Sequence, residues 1–185
     1  MTVGQARSGT AGSGGVLVAV RLSGGRTLTV RPVRPADADG IEALFGSLSD
    51  EDKYFRFFSF STPGRRFVEQ MTRAEQDGGY RLVAIVSGPG EDLVAEAGYA
   101  MLPDGDGEFG LTVAAGWRGW LGPYLLDALA AAAAARGVPN LQADILTENY
   151  RMMALVSHRG YITLAREFSE VRVAIDAAEP RRRRG

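Results

Sequence analysis

The chain has 185 residues, 45% hydrophobic and 23% charged, with a net charge of −1. That is enough for one sizeable core, short for two domains, and the composition of a globular protein. No run of about 18 uninterrupted apolar residues occurs and the N-terminus lacks a signal-peptide pattern, so neither a membrane span nor a membrane partner is expected.

Cysteine is absent, which excludes disulfide frameworks, thiolate metal sites and cysteine nucleophiles and fits a cytoplasmic location. The single histidine, His158, falls on the polar side of a helical pattern, and no metal site can be built around it. Four arginines, Arg181–Arg184, lie near the C-terminus; setting those four aside takes the net charge from −1 to −5. Four charges without interleaved aromatics specify little, so residues 177–185 read as a disordered solubilising tail and nucleic acid is not an expected partner.

Residues 1–15 are rich in Gly, Ser and Thr without periodicity and read as a flexible leader to a single domain over 16–176. Val16–Val20 and the alternating Thr27–Val30 flank the turn signal Ser23-Gly24-Gly25 and form a hairpin. Ile41, Leu44, Phe45 and Leu48 have helical spacing within 36–48. Ser49 then caps a second helix whose acidic first turn suits the positive end of the helix dipole. Tyr54, Phe55, Phe57 and Phe58 give that helix a broad apolar face, expected in the core. A third helix over 64–73 is anchored by Phe67, Val68 and Met71. Strands are expected at 82–86, 93–101 and 108–114, an Ala-rich helix at 123–136, a strand at 141–146 and a helix at 149–159. A strand pair at 162–166 and 171–175 ends the domain. This order contains one β-α-β crossover and implies an α+β (mixed α/β) fold, a mostly antiparallel sheet with helices on its faces.

Four segments in this order carry a resemblance. Thr29-Val30-Arg31-Pro32-Val33-Arg34-Pro35 is similar to the first strand of the GNAT acyltransferases. Leu48-Ser49-Asp50-Glu51-Asp52-Lys53-Tyr54-Phe55-Arg56-Phe57-Phe58 resembles the "LSxExxYxRFF" run of bacterial GNAT domains related to protein-lysine acetyltransferases. Glu108-Phe109-Gly110-Leu111-Thr112-Val113 resembles the family's central strand, and Glu148-Asn149-Tyr150-Arg151-Met152 with Gly160-Tyr161 its "ENxxM…GF" segment. The resemblance covers about 28–176. It implies a twisted sheet splayed between the fourth and fifth family strands, acetyl-CoA as cosubstrate, and an amine acceptor, either a small molecule or a protein lysine. A homodimer is left open.

On the same resemblance, backbone groups of Leu111, Thr112, Val113 and Ala115 meet the pantetheine arm. Val113 polarises the thioester carbonyl, and Asn149 either hydrogen-bonds the arm or caps its helix. The pyrophosphate is expected at Arg118, Gly119, Gly122, Pro123 and Tyr124, where free N–H groups and the helix dipole favour an anion. Glu108 is the candidate general base. If 103–107 closes a tight hairpin, Glu96, Glu108 and Gly110 share one sheet face; Glu96 is then a second acid or, as preferred here, a solvated carboxylate.

The chain departs from the family at three places. Counting back from Leu125-Leu126, Trp120 falls where the phosphate loop carries glycine, unless the loop is one residue short. Pro123 removes an N–H from the cradle. Val156 occupies the position of a frequent tyrosine acid. These departures leave a second reading, a GNAT-fold binding or regulatory module without catalysis.

Overall fold

Val18 and Val20, and Leu28 and Val30, are buried while their neighbours are exposed or half-buried, the period of strands with one covered face. They pair antiparallel as β2 (Val18–Arg21) and β3 (Thr27–Pro32), Val18 opposite Val30. The computed structural model describes residues 7–8 and 17–178. Arg7–Ser8 form a short β1 against β2; the rest of the leader reading, and Arg181–Arg184, lie outside the described residues. Ala177, assigned to the tail from sequence, is buried, and its N–H donates to the Pro139 carbonyl.

Three helices follow: α1 (Ala38–Gly46), α2 (Asp50–Phe57) and α3 (Arg65–Met71). Then come β4 (Tyr80–Ser87), β5 (Glu91–Met101), β6 (Gly107–Val113), α4 (Leu121–Ala135), β7 (Asn140–Leu146), α5 (Tyr150–Arg159), β8 (Ile162–Arg166) and β9 (Glu170–Asp176). Among the described residues the sheet order is β1-β2-β3-β4-β5-β6-β7-β9-β8, antiparallel except where β7 lies parallel to β6. Parity along β4 separates two cores. Leu82, Ala84 and Val86 face Leu121, Leu125 and Leu129 of α4, whereas Val83 and Ile85 face Ile41, Leu44 and Phe45 of α1.

The expected α+β fold with helices on both faces is the one observed. One expectation about packing is corrected. No residue of α2 is fully buried: Phe57 is half-buried and packs edge-to-face on Phe45 of the α1 core, ring centroids 4.9 Å apart, whereas Tyr54, Phe55 and Phe58 are not core; Phe67 of α3 is exposed as well. Polar contacts add to this single apolar anchor in holding α2 in place. Its cap is the expected one, Ser49 Oγ accepting from the Asp52 N–H at 3.1 Å.

Inside the α1 face, Glu96 is fully buried. Its carboxylate accepts from Arg81 Nη1, from Arg56 Nη2 of α2 at 3.2 Å and from the Thr112 hydroxyl at 2.8 Å. Arg56 Nε also donates to Thr112 Oγ1 at 3.1 Å. Two glycines make room for these guanidinium groups. A Cβ on Gly98 would fall 2.7 Å from Arg81 Cζ, and one on Gly110 would fall 2.8 Å from Arg56 Cζ.

Burial pushes the Glu96 pKa up, but the adjacent charges of Arg81 and Arg56 and the Thr112 hydrogen bond outweigh it and hold it below the ordinary 4.5. A carboxyl depressed in the folded state stabilises the fold above its unfolded pKa and loses that contribution as pH falls through its folded value. Acid should therefore weaken the wild type progressively below pH 4.5. Glu96→Gln leaves two guanidinium groups without a counter-ion and should cost about 3–5 kcal/mol in urea unfolding at pH 7 while removing this acid-dependent step. A loss below about 1 kcal/mol would show that the network carries little stability.

Candidate functional site: a cleft where two parallel strands part

β6 and β7 pair only at their beginnings, Gly107 with Leu141 and Glu108 with Gln142. Beyond that point β7 follows β9, with which it is paired from Asn140 to Leu146. This is the expected splay between the fourth and fifth family strands. The opening holds a cavity of about 1030 Å³, walled by β6, β7, α5 and the aromatic side of α2.

Hydrogen-bond alternation fixes which edge of β6 faces the opening. The Ala114 N–H donates to Val94 O at 2.9 Å, and Ala95 lies opposite Val113. Even-numbered peptide groups of β6 therefore point to β5, and those of Phe109, Leu111 and Val113 point away from it. Where β7 has left, the N–H groups of Leu111 and Val113 have no strand to pair with among the described residues. The Val113 carbonyl accepts from Arg118 Nε at 3.3 Å.

At the end of β6 the chain turns into α4, which begins at Leu121, two residues before its expected start. Gly119 supplies the left-handed conformation of this turn (φ 107°). Trp120 has ordinary helical angles (φ −76°, ψ −30°) and is 42% exposed, its ring centroid 6.3 Å from that of Tyr124. The position taken from sequence to need glycine does not need it, because the positive φ has moved to Gly119. Trp117, not Trp120, packs against the core. No backbone acceptor meets the N–H groups of 118–122 among the described residues. Pro123 stands third in the helix, a position whose N–H has no intrahelical partner in any case.

The structure brings most of the sequence candidates to this cavity: Glu108, Leu111, Thr112, Val113, Arg118 and Asn149, with the turn residues Gly119, Gly122 and Pro123. Ala115, in the turn after β6, is not among the cavity-lining residues, and neither is Tyr124. Tyr124 packs, half-buried, against the α4 core, where burial raises its phenol pKa. Glu108 is exposed and has no hydrogen bond or ion pair among the described residues. Glu96 shares its sheet face but lies opposite Thr112, four residues along β6, and is sealed by arginines. It is neither the solvated carboxylate nor the second acid at Glu108 that the sequence suggested. Asn149 caps α5, its Oδ1 accepting from the Met152 N–H at 3.1 Å, while its Nδ2 has no acceptor among the described residues. Val156 is buried in the core, and the exposed His158 lies along the cavity wall.

Sequence reasoning assigned no role to Asp52, Arg56 or Arg151. Asp52 accepts from Arg118 Nη2 at 2.7 Å and from Arg151 Nη1 at 3.4 Å, tying α2 to the α4 turn and to the start of α5. Burial raises its pKa, but the Arg118 and Ser49 hydrogen bonds and both arginine charges hold it below the usual carboxylate value. The signal for Arg56 was present: a single cation inside the aromatic run Tyr54–Phe58.

No family model matches the chain. By structure it is similar to the GNAT domain of PAT from S. lividans, at 27% identity and a TM-score of 0.72, over 85% of this chain and 95% of that one. It is similar in fold to YncA from Salmonella typhimurium, solved with its cofactor acetyl-CoA, at 17% identity and a TM-score of 0.65, over 83% of this chain and 97% of that one. It is also similar in fold to a cAMP-binding acyltransferase from Mycobacterium smegmatis, at 24% identity and a TM-score of 0.57, over 87% of this chain but 47% of that one. The chain thus has the fold of the GNAT acetyltransferases, and its structural neighbours are GNAT-domain acetyltransferases.

Proposed function

We propose that the protein transfers an acetyl group from acetyl-CoA directly to a primary amine, of a small molecule or a protein lysine, in the cytoplasm. The observation that carries this reading is the unpaired edge of β6 at Leu111 and Val113, opening onto a cavity that ends at the first turn of α4. Those residues fit the cosubstrate: amide-bearing pantetheine suits an open strand edge, and a diphosphate suits the free N–H groups of 118–122 beside Arg118. The Asn149 Nδ2 is a further donor toward the arm.

Acetyl-CoA supplies a thioester, an acyl group already activated toward an amine. Glu108 takes the proton that the amine must lose, directly or through water, as its nitrogen bonds to the acyl carbon and the carbon–sulfur bond breaks. The Val113 N–H, fixed by the strand, is a donor for charge developing on the thioester oxygen. Val156 offers no proton to the departing sulfur; with an ordinary thiol pKa of about 8.5, the thiolate leaves without one near neutral pH.

Acetyl-CoA should raise the melting temperature by ligand linkage, and adenosine alone should raise it much less. Glu108→Gln should lower turnover by about a hundredfold or more while acetyl-CoA binding stays nearly intact. Equal loss of rate and binding would make Glu108 structural. No stabilisation at millimolar acetyl-CoA would favour the alternative of a non-catalytic module, for which the engaged Arg118 and the missing Pro123 N–H are the support.

A further inference from the structure

The network behind β6 is not electrically neutral. Arg56 and Arg81 share one counter-ion, Glu96, which leaves one positive charge in surplus. Arg81 and Glu96 are buried, so the surplus can be expressed only through Arg56, whose side chain is 20% exposed and lines the cavity. Its Nε and Nη2 are used by Thr112 and Glu96. Its Nη1 has no acceptor among the described residues and lies against Gly110, where a Cβ would be 2.9 Å from it. The guanidinium carbon lies over the Phe57 ring at 5.2 Å, and Nη1 is an unused donor on a side chain that lines the cavity.

Glu108 is the next residue on the same face of β6, one pleat from Gly110, about 7 Å along the strand. One sheet face therefore carries, side by side, an unpaired carboxylate and a surplus cation with a free N–H. That is the complement of a molecule holding an ammonium and a carboxylate a few bonds apart. Hydrogen bonds of about 2.8 Å at each end make up the remaining separation for an α-amino acid. Phe55, Phe58 and Phe67 line the same cavity and suit an apolar side chain.

We infer that the acceptor is a free amino acid with an apolar side chain, its carboxylate bound by Arg56 and its amine directed to Glu108. This rests on the acetyl-transfer reading of the cavity. A lysine side chain within a protein brings no carboxylate beside its amine. It leaves the Arg56 donor unanswered; since Arg56 is also the arginine of the "LSxExxYxRFF" run, the relative rates with acid, amide and lysine acceptors measure whether that donor discriminates between them.

The test is release of CoA thiol from acetyl-CoA with three acceptors: L-phenylalanine, L-phenylalaninamide and Nα-acetyl-L-lysine amide. The wild type should prefer L-phenylalanine to its amide by about tenfold to a hundredfold in kcat/KM, and to the lysine derivative by at least as much. Arg56→Lys, which keeps the charge but loses the planar fork, and Arg56→Gln should both narrow the acid-to-amide ratio. The wild-type ratio needs no variant and so stands even if both fold poorly. Equal rates for acid and amide, or faster acetylation of the lysine derivative, would overturn the acceptor assignment while leaving acetyl transfer intact. If no amine is acetylated although acetyl-CoA stabilises the protein, calorimetric titration of L-phenylalanine into the CoA-bound protein decides. Binding that Arg56→Gln abolishes supports the assignment, and absence of binding overturns it.

Discussion

The parallel contact between β6 and β7 lasts two residues, and the site depends on its ending there. A strand needs partners for its peptide groups on both edges, and β6 has one on the β5 side along its whole length. On the other side β7 is drawn off by β9. Peptide groups at Leu111 and Val113 are left facing a cavity, a situation that proteins satisfy with water or with a ligand. The same departure makes space for the α4 turn, so the free N–H groups of 118–122 lie at the end of that open edge. One failure of pairing thus supplies both an elongated polar track and an anion-favouring terminus in line with it.

The wall opposite this track is unusual in how it is fixed. α2 buries none of its residues fully; Phe57 alone packs on the α1 core, and the helix is otherwise held by charge at two points. At its start Asp52 spans to Arg118 and Arg151; further along, Arg56 reaches through to Glu96. Elements held by few buried apolar contacts open more readily than packed ones. An anion arriving at Arg118 competes with Asp52 for the same guanidinium, so cosubstrate binding and the seating of α2 are physically linked. The Arg56 anchor is independent of that exchange, because its partners Glu96 and Thr112 belong to the sheet.

Local chemistry was legible in the sequence, and long-range geometry was not. Ser49 and Asn149 were readable as caps because a cap is decided within four residues, and both act as caps. Strand and helix positions followed from periodicity, and the order of motifs gave the fold. Periodicity names the apolar face of a helix but not what it meets, so the whole aromatic run at 54–58 was assigned to core when Phe57 alone packs there and Phe55 and Phe58 face a cavity. Glu96 was placed on the correct face by parity, yet its burial depends on Arg56, forty residues earlier, and on two glycines that clear space. Spacing suggested that Trp120 sat where glycine was required. The backbone solves that turn with Gly119 instead, a choice of dihedral angle that counting residues does not reveal.

Hydrogen exchange at individual amides, with and without saturating acetyl-CoA, reads the open strand edge most directly. The account predicts slower exchange at Leu111 and Val113 and at 119–122 when acetyl-CoA is bound. Glu108, Gly110 and Thr112, whose amides already point to β5, should change little. Unchanged exchange at Leu111 and Val113 under saturation, or protection confined to another face of the sheet, would contradict the claim that the parting of β6 and β7 forms the cosubstrate site.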